Sequence, residues 1–333
     1  MKAIIYDEYG PPEVLKLKEV EKPSPKDNEI LIKIHAASVN YGDLVARNVR
    51  SISSRDFHMP ALFLLLAKLD FGFKRPKRKI LGSEFSGEIE GIGSNVSKFK
   101  TGDLVFGYVG QGMGAYAEYL CIPETGVVEI KPSALSFEEA AVIPMGAIMA
   151  LHLLREKGKI KSGDKVLING ASGSIGSAAV QIAKNYFGAE VTGVCGTLRL
   201  EFVKSIGANK VFDYTREDFT ESSEKYDLIF DVLGKSKFSA CKKVLNKNGR
   251  YLLVSFKIKQ LFQMLLTKIF SNKKVICAIA PGSAKDFQTV KELVETGKLK
   301  SIVDKSFAMD QAAQAHSYVE EGHKKSSVVI TMK

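Results

Sequence analysis

The sequence predicts an α/β protein in which a doubly wound parallel-sheet domain interrupts a β-rich domain built from both ends of the chain. Three observations carry that expectation. The 333 residues exceed what one ordinary hydrophobic core organises and suit two. Up to about residue 123 the apolar residues come in short alternating runs broken by Gly and Pro; beyond it, strand-length apolar runs alternate with helical patterns. A buried-strand pattern at 165–169 then runs through three glycines straight into a helical pattern, as in a βα unit. The expected division gives 1–123 and 284–333 to the β-rich domain and 124–283 to the doubly wound one.

Taken in order, Lys2–Tyr6, Leu15–Glu19 and Glu29–Ala36 read as strands, the last because Ile30, Ile32 and Ile34 alternate with Lys33 and His35. Residues 51–79 fit neither period. Strands resume in Gly87–Gly91, Leu104–Tyr108 and Ala115–Ile122, where glycines mark turns and bulges. Phe137–Leu154 has helical spacing. Lys165–Asn169, Glu190–Cys195, Lys210–Phe212, Leu228–Val232, Tyr251–Ser255 and Val275–Ile279 read as buried strands. Ser177–Tyr186, Leu198–Ile206 and Lys237–Leu245 read as helices between them, an alternation that specifies a parallel sheet covered on both faces. Lys285–Thr296 is one more helix before the closing strand Val328–Thr331, and no solenoid period appears.

Composition narrows the class. With 45% apolar and 26% charged residues the chain is neither disordered nor fibrous. Cys121, Cys195, Cys241 and Cys277 form no close pair, so neither a disulfide framework nor a CxxC knuckle is expected, and a reducing compartment fits. The opening MKAIIYDEYG lacks a signal-peptide core, and the longest apolar run, Ala61–Ala67, falls far short of the roughly 18 residues of a membrane span. A soluble cytoplasmic protein is expected, with peripheral contact at a membrane left open. His35, His58, His152, His316 and His323 have no metal-ligand spacing.

The most informative stretch is Lys165-Val-Leu-Ile-Asn-Gly-Ala-Ser-Gly-Ser-Ile-Gly176, followed by the helical Ser177–Lys184. Gly173 lets the backbone approach a pyrophosphate, and Gly176 lets the helix pack on the strand. Gly170, Ala171, Ser172, Gly173, Ser174, Ile175 and Gly176 therefore form an expected dinucleotide cradle at a helix N-terminus, although Ala171 replaces the first glycine of the usual GxGxxG. The next strand ends in Val194-Cys-Gly-Thr-Leu-Arg199, without the acid that holds an NAD ribose. Thr197 and Arg199 suit a 2′-phosphate and point to NADP; Arg199 as a solvated helix residue is the alternative. Val232, Leu233 and Gly234, with Ser255 and Phe256, follow sheet strands where doubly wound sheets bind ligands.

These segments, with MKAIIYDEYGPPEVLKL, Gly82-Ser-Glu-Phe-Ser-Gly87, Lys100-Thr-Gly-Asp-Leu-Val-Phe-Gly107 and Gly207-Ala-Asn-Lys-Val-Phe-Asp-Tyr214, give the chain an end-to-end resemblance to a known family. It resembles a medium-chain dehydrogenase/reductase of the zinc-independent quinone oxidoreductase (zeta-crystallin-like) branch. The resemblance implies a Rossmann domain inserted into a GroES-like catalytic domain, a homodimer, and hydride transfer from NADPH to a small-molecule quinone or α,β-unsaturated carbonyl. Zinc-dependent relatives have Cys, His and Cys where this sequence reads Asn40, Ser83 and Met145, and a relay hydroxyl where it has Gly42; no metal is expected. Without a Lewis acid, acceptors that spread charge by conjugation are favoured over alcohols. The resemblance also puts Asn40 at the acceptor carbonyl, Tyr41 as proton donor or ring platform, Met145 and Met149 at the nicotinamide, and Tyr214 beside the adenosine. Asp43 is expected to be structural. Asn40 as a turn-capping amide, Tyr41 as a buried aromatic and the methionines as core filler stay open. Val45–Phe57 lacks the tyrosine of enoyl-thioester reductases.

The net charge of +11 is concentrated in two places. Residues 68–79 carry +5 and residues 256–274 carry +5, which leaves +1 for the rest. Both are also apolar, and Ile258–Phe270 has amphipathic helical spacing. A cleft lid and a dimer-face helix is one reading of 51–79 and 256–274; an anionic membrane surface is the other. Relatives reported to bind RNA suggest an NADPH-binding RNA- or membrane-associated protein with little turnover as the alternative function, but no RNP, KH or aromatic-interleaved pattern supports nucleic acid.

Overall fold

Among the described residues two large sheets and a two-stranded ribbon form, and the connections of the large sheets explain their different make-up. The computed structural model describes residues 1–53, 57–280, 282–322 and 324–332, so His323 and part of the 51–79 segment lie outside the described residues. In the first part of the chain, β1 (Lys2–Ile5) and β2 (Lys16–Glu19) make an antiparallel ribbon. The long β3 (Glu29–Val39) leads into α1 (Tyr41–Asn48) and α2 (Ala61–Phe71), and β4 (Glu84–Ile92), β5 (Leu104–Tyr108), β6 (Tyr119–Pro123) and β7 (Val127–Ile130) follow. α3 (Phe137–Ala141) and α4 (Pro144–His152) connect to the second sheet. The single helix expected over 137–154 divides because Pro144 has no N–H to donate back into the preceding turn; it serves instead as the first residue of α4.

The second sheet alternates strand and helix: β8 (Lys165–Asn169), α5 (Ser174–Asn185), β9 (Glu190–Cys195), α6 (Leu200–Ser205), β10 (Lys210–Asp213), β11 (Tyr226–Asp231), α7 (Phe238–Cys241), β12 (Leu245–Leu253), α8 (Ile258–Phe270) and β13 (Lys274–Cys277). All its pairings are parallel, in the order β10-β9-β8-β11-β12-β13. Strand order reverses between β8 and β11, which opens a crevice at their carboxyl ends. The expected helix 237–245 shrinks to α7, because Leu245 already pairs with Tyr226 as the start of a nine-residue β12. The outer edge of β13 is not left open. The Val275 N–H donates to Thr267 Oγ1 (3.0 Å) and the Cys277 N–H to Met264 Sδ (3.4 Å), so side chains of α8 cover the edge.

After α9 (Ala284–Glu295), β14 (Val303–Ala308), α10 (Ala312–Glu320) and β15 (Ser327–Thr331) return to the first sheet, whose order is β14-β15-β3-β4-β5-β7 with β6 also on β3. Two elements cross the expected boundaries. β7 hydrogen-bonds β5 beyond residue 123, and α9 buries Phe287, Val290 and Leu293 in the core of the doubly wound sheet. The largest core of the first sheet lies around Tyr6, Phe85 and Tyr116, and the two larger cores of the second flank it. Among the described residues no helix is long and apolar enough to cross a membrane.

Candidate functional site

The glycine turn has the geometry its sequence requires. Gly170 ends β8 with φ 88°, in the left-handed region that favours glycine. A Cβ on Gly176 would lie 2.0 Å from the Gly170 carbonyl oxygen, so α5 packs on the strand only because that atom is missing. At Gly173 a Cβ would meet nothing nearer than 3.8 Å, which leaves that face of the turn open. No side chain caps α5, so its first N–H groups point into the opening with the positive end of the helix dipole. These residues fit a dinucleotide pyrophosphate. The turn is also tied to the other domain: the Ser326 N–H donates to the Ser172 carbonyl (2.8 Å), and hydroxyl pairs join Ser177 to Ser326 (2.9 Å) and Ser174 to Ser327 (3.1 Å).

Beside the turn, a cleft of about 530 Å³ lies at the strand ends, walled by Asn169, Val194, Tyr214, Arg216, Leu233 and Lys235 among others. Its floor is organised by the fully buried Asp231, which accepts from Asn169 Nδ2 (3.0 Å), the Gly234 N–H (2.9 Å), the Ser236 N–H (3.0 Å) and the Tyr251 hydroxyl (3.0 Å). That fixes residues 232–236, and Ser255 Oγ donates to the Val232 carbonyl (3.2 Å) to join the next strand end. Phe256 is buried in the core beneath rather than in the cleft wall.

Thr197 and Arg199 are placed differently from the expectation. Thr197 Oγ1 donates to Asp213 Oδ2 (2.5 Å), and hydrogen bonds from Thr197 and Thr215, with Arg216 nearby, hold the Asp213 carboxyl below its usual range. Arg199 Nη2 donates to the Gly322 carbonyl and so bridges the two domains instead of facing the cleft. The cations in the cleft wall are Arg216 and Lys235. Sequence reasoning missed both; the available signal was their position just past β10 and β11.

Across the turn, Asn40, Ser83 and Met145 come together although 105 positions separate the first from the last. Asn40 ends β3 and caps α1: its Oδ1 accepts the Gly42 N–H (2.9 Å), while its own N–H donates to Asp43 Oδ2 (2.9 Å). Asn40 Nδ2 donates to Ser83 Oγ (2.9 Å) and Glu84 Oε2 (3.3 Å), and the Met145 N–H donates to Glu84 Oε1 (2.7 Å). Ser38 Oγ donates to the same carboxyl. Both amide hydrogens of Asn40 are therefore engaged within the protein, and the Ser83 hydroxyl, which accepts from Asn40, keeps its own O–H for another acceptor. Burial pushes the Glu84 carboxyl above its usual pKa. Glu84 was not singled out from sequence; it became visible only when β3, β4 and α4 converged on it.

An amide, a hydroxyl and a thioether do not suit zinc, and among the described residues no three His, Cys, Asp or Glu side chains form a metal group. α4 brings this cluster to the glycine turn: a Cβ on Gly146 would lie 2.8 Å from the Ser174 carbonyl oxygen. Tyr41 opens α1 and is more than half exposed, while Met145 and Met149 are half-buried on α4. Tyr214 is exposed in the wall of the adjacent cleft.

Behind Asn40 runs a buried polar chain. Asp43 accepts from the Gly82 N–H (3.1 Å), and burial raises its carboxyl to about 7. The Tyr116 hydroxyl donates to the Ser38 carbonyl (3.2 Å) and meets His316 Nε2 (3.3 Å); His316 Nδ1 in turn meets Arg47 Nη1 (3.0 Å), and Arg47 pairs with Glu320. Burial first, and Arg47 second, push the His316 imidazole down to about 3. Burial lowers Lys324 to about 8 against the opposing pull of Glu84, Asp304 and Asp43.

Comparison with known proteins agrees with this layout. A family model described as an alcohol dehydrogenase GroES-like domain matches residues 26–132, and one described as a zinc-binding dehydrogenase matches 206–330. The chain is 31% identical over 342 residues to 2-methylene-furan-3-one reductase of Solanum lycopersicum, covering 99% of this chain and 79% of that protein. It is 28% identical to the chloroplastic NADPH-dependent alkenal/one oxidoreductase of Arabidopsis thaliana, with the same coverage of 99% and 79%. The solved structure of the quinone oxidoreductase from Coxiella burnetii superposes with a TM-score of 0.84 at 30% identity, covering 100% of this chain and 99% of that one.

Proposed function

Because the chain belongs to the medium-chain dehydrogenase/reductase superfamily, in its zinc-independent quinone oxidoreductase branch, we propose that it transfers hydride from NADPH to a quinone or α,β-unsaturated carbonyl. That it is an oxidoreductase using a nicotinamide cofactor is the coarser part of this reading. The observation that carries the finer part is the hydrogen-bonded Asn40–Ser83–Glu84 cluster standing where zinc-dependent relatives hold their metal, within one residue of the helix start that touches the glycine turn. The names of the similar tomato, Arabidopsis and Coxiella proteins point to the same acceptor class.

When bound, NADPH supplies the hydride. The residues of this chain do the rest. The open face of Gly173 and the N-terminus of α5 would hold the pyrophosphate, and Arg216 and Lys235 would take a 2′-phosphate. Met145 and Met149, half-buried on α4, would line the nicotinamide. The Ser83 O–H, held in place by Asn40, donates to the acceptor oxygen as charge gathers there. Glu84, its carboxyl fixed by Ser38, Asn40 and the Met145 N–H, holds the cluster in place beside Ser83. Tyr41, exposed at the start of α1, would return a proton from solvent. The test is steady-state NADPH oxidation across quinones, alkenals, enones and simple aldehydes. Turnover with the conjugated acceptors and not the simple aldehydes is expected; turnover confined to simple aldehydes, or none with any conjugated acceptor, overturns the reading.

A further inference from the structure

We propose that α2 and α8 form a docking surface for an anionic lipid bilayer, on which the protein lies with these two helices in the plane of the membrane. Each helix leaves most of its apolar side chains uncovered. Of the residues in α2 only Leu64 and Phe71 are buried, and Leu62, Leu66 and Leu69 are each more than half exposed. In α8 only Thr267 is buried, and Phe262, Leu266, Ile269 and Phe270 are 61%, 58%, 73% and 79% exposed. Both segments are anchored on one apolar cluster, against which Met59, just before α2, packs along with Leu261 and Met264 of α8.

Cations border the leucines. Lys74, Arg75 and Lys77 follow α2 and are exposed, and Lys259 and Lys268 are exposed on α8. Residues 256–274 contain no acid at all. Lys273 is held below its usual pKa by partial burial and by Lys225 and Lys242 beside it, so the crowding of positive charge continues past the helix. A surface that is apolar at its centre and cationic around it matches an acyl layer beneath acidic headgroups.

Two other occupants fit less well. A second copy of the chain would bring +5 segments against +5 segments, and the outer strand edge is already covered by α8. A nucleic acid would meet the cations but leave the leucines in water.

The experiment is co-sedimentation of the full chain with phosphatidylcholine vesicles, with and without phosphatidylglycerol, at low and high salt. Binding to the phosphatidylglycerol vesicles, weakened by salt and slight on phosphatidylcholine alone, is the expected result. Lys259→Gln and Lys268→Gln should each lower the partition coefficient about fivefold. Leu266→Glu with Ile269→Glu should abolish binding. Both sites are on the surface and outside the proposed catalytic machinery, so near-UV circular dichroism and turnover of a water-soluble quinone should stay unchanged, which separates this test from that of the catalytic reading. The proposal is overturned by no binding at low salt, or by equal binding to neutral vesicles. It is also overturned if the protein ignores vesicles and is instead a dimer that Leu266→Glu dissociates, or retains RNA with the Leu266→Glu change having no effect.

Discussion

Asp43 and His316 face the same buried chain behind Asn40 and titrate in opposite senses. A carboxyl raised to about 7 from its ordinary 3.8 binds its proton more tightly in the folded protein. Its contribution to stability is therefore full below about pH 4 and is lost as pH rises through 7. An imidazole lowered to about 3 from 6.5 contributes fully above 6.5, and that contribution is lost as pH falls. Between about pH 4 and 6.5 the two slopes cancel. Asp43→Asn should expose the histidine slope, so that stability relative to the parent rises with pH by about 1.4 kcal/mol per unit in that window. His316→Gln should expose the opposite slope of similar size. Urea midpoints measured from pH 4 to 7 on both variants check this; parallel profiles for parent and variants would refute it.

At the scale of elements, two glycines three residues apart separate binding from folding. Gly176→Ala drives a methyl group into the Gly170 carbonyl and should cost about 1–3 kcal/mol of stability, read as a lower urea midpoint. Gly173→Ala meets no protein atom closer than 3.8 Å and should leave that midpoint unchanged, while raising the NADPH Kd at least about tenfold by blocking the pyrophosphate. The βα elements were legible in the sequence because each strand is buried on both faces and each helix carries an apolar stripe. α1 was not, since its eight residues are too few to display a period; its signal was the capping pair Asn40 and Asp43. The broken helix at Pro144 and the early start of β12 were lost for a related reason: apolar runs do not reveal where hydrogen bonding changes hands.

The whole molecule shows why the site was only half legible. A glycine turn is written in consecutive residues, so the cradle could be read directly. The Asn40 cluster is assembled from the end of β3, the start of β4 and the start of α4, and its central Glu84 has no local spacing to betray it. Arg199 was read toward a phosphate because it follows β9, but the fold directs it to Gly322 in the other domain. This has a testable consequence. Arg216→Ala should raise the KM for NADPH about tenfold with little change for NADH, and Arg199→Ala should lower thermal stability while leaving that cofactor ratio unchanged.

The serine contacts between the glycine turn and β15 act as a ruler. Ser326 lies against Gly173, Val328 pairs with Val39, and Asn40 comes next. The two steps from Ser326, at φ 61°, through Ser327 to Val328 in β15 thus set how far the turn stands from the Asn40 cluster. Side chains along β15 are interchangeable to the extent that packing allows, but their number is not. One residue inserted or deleted between Ser326 and Val328 would alter the gap by a full rung and turn the strand inside out.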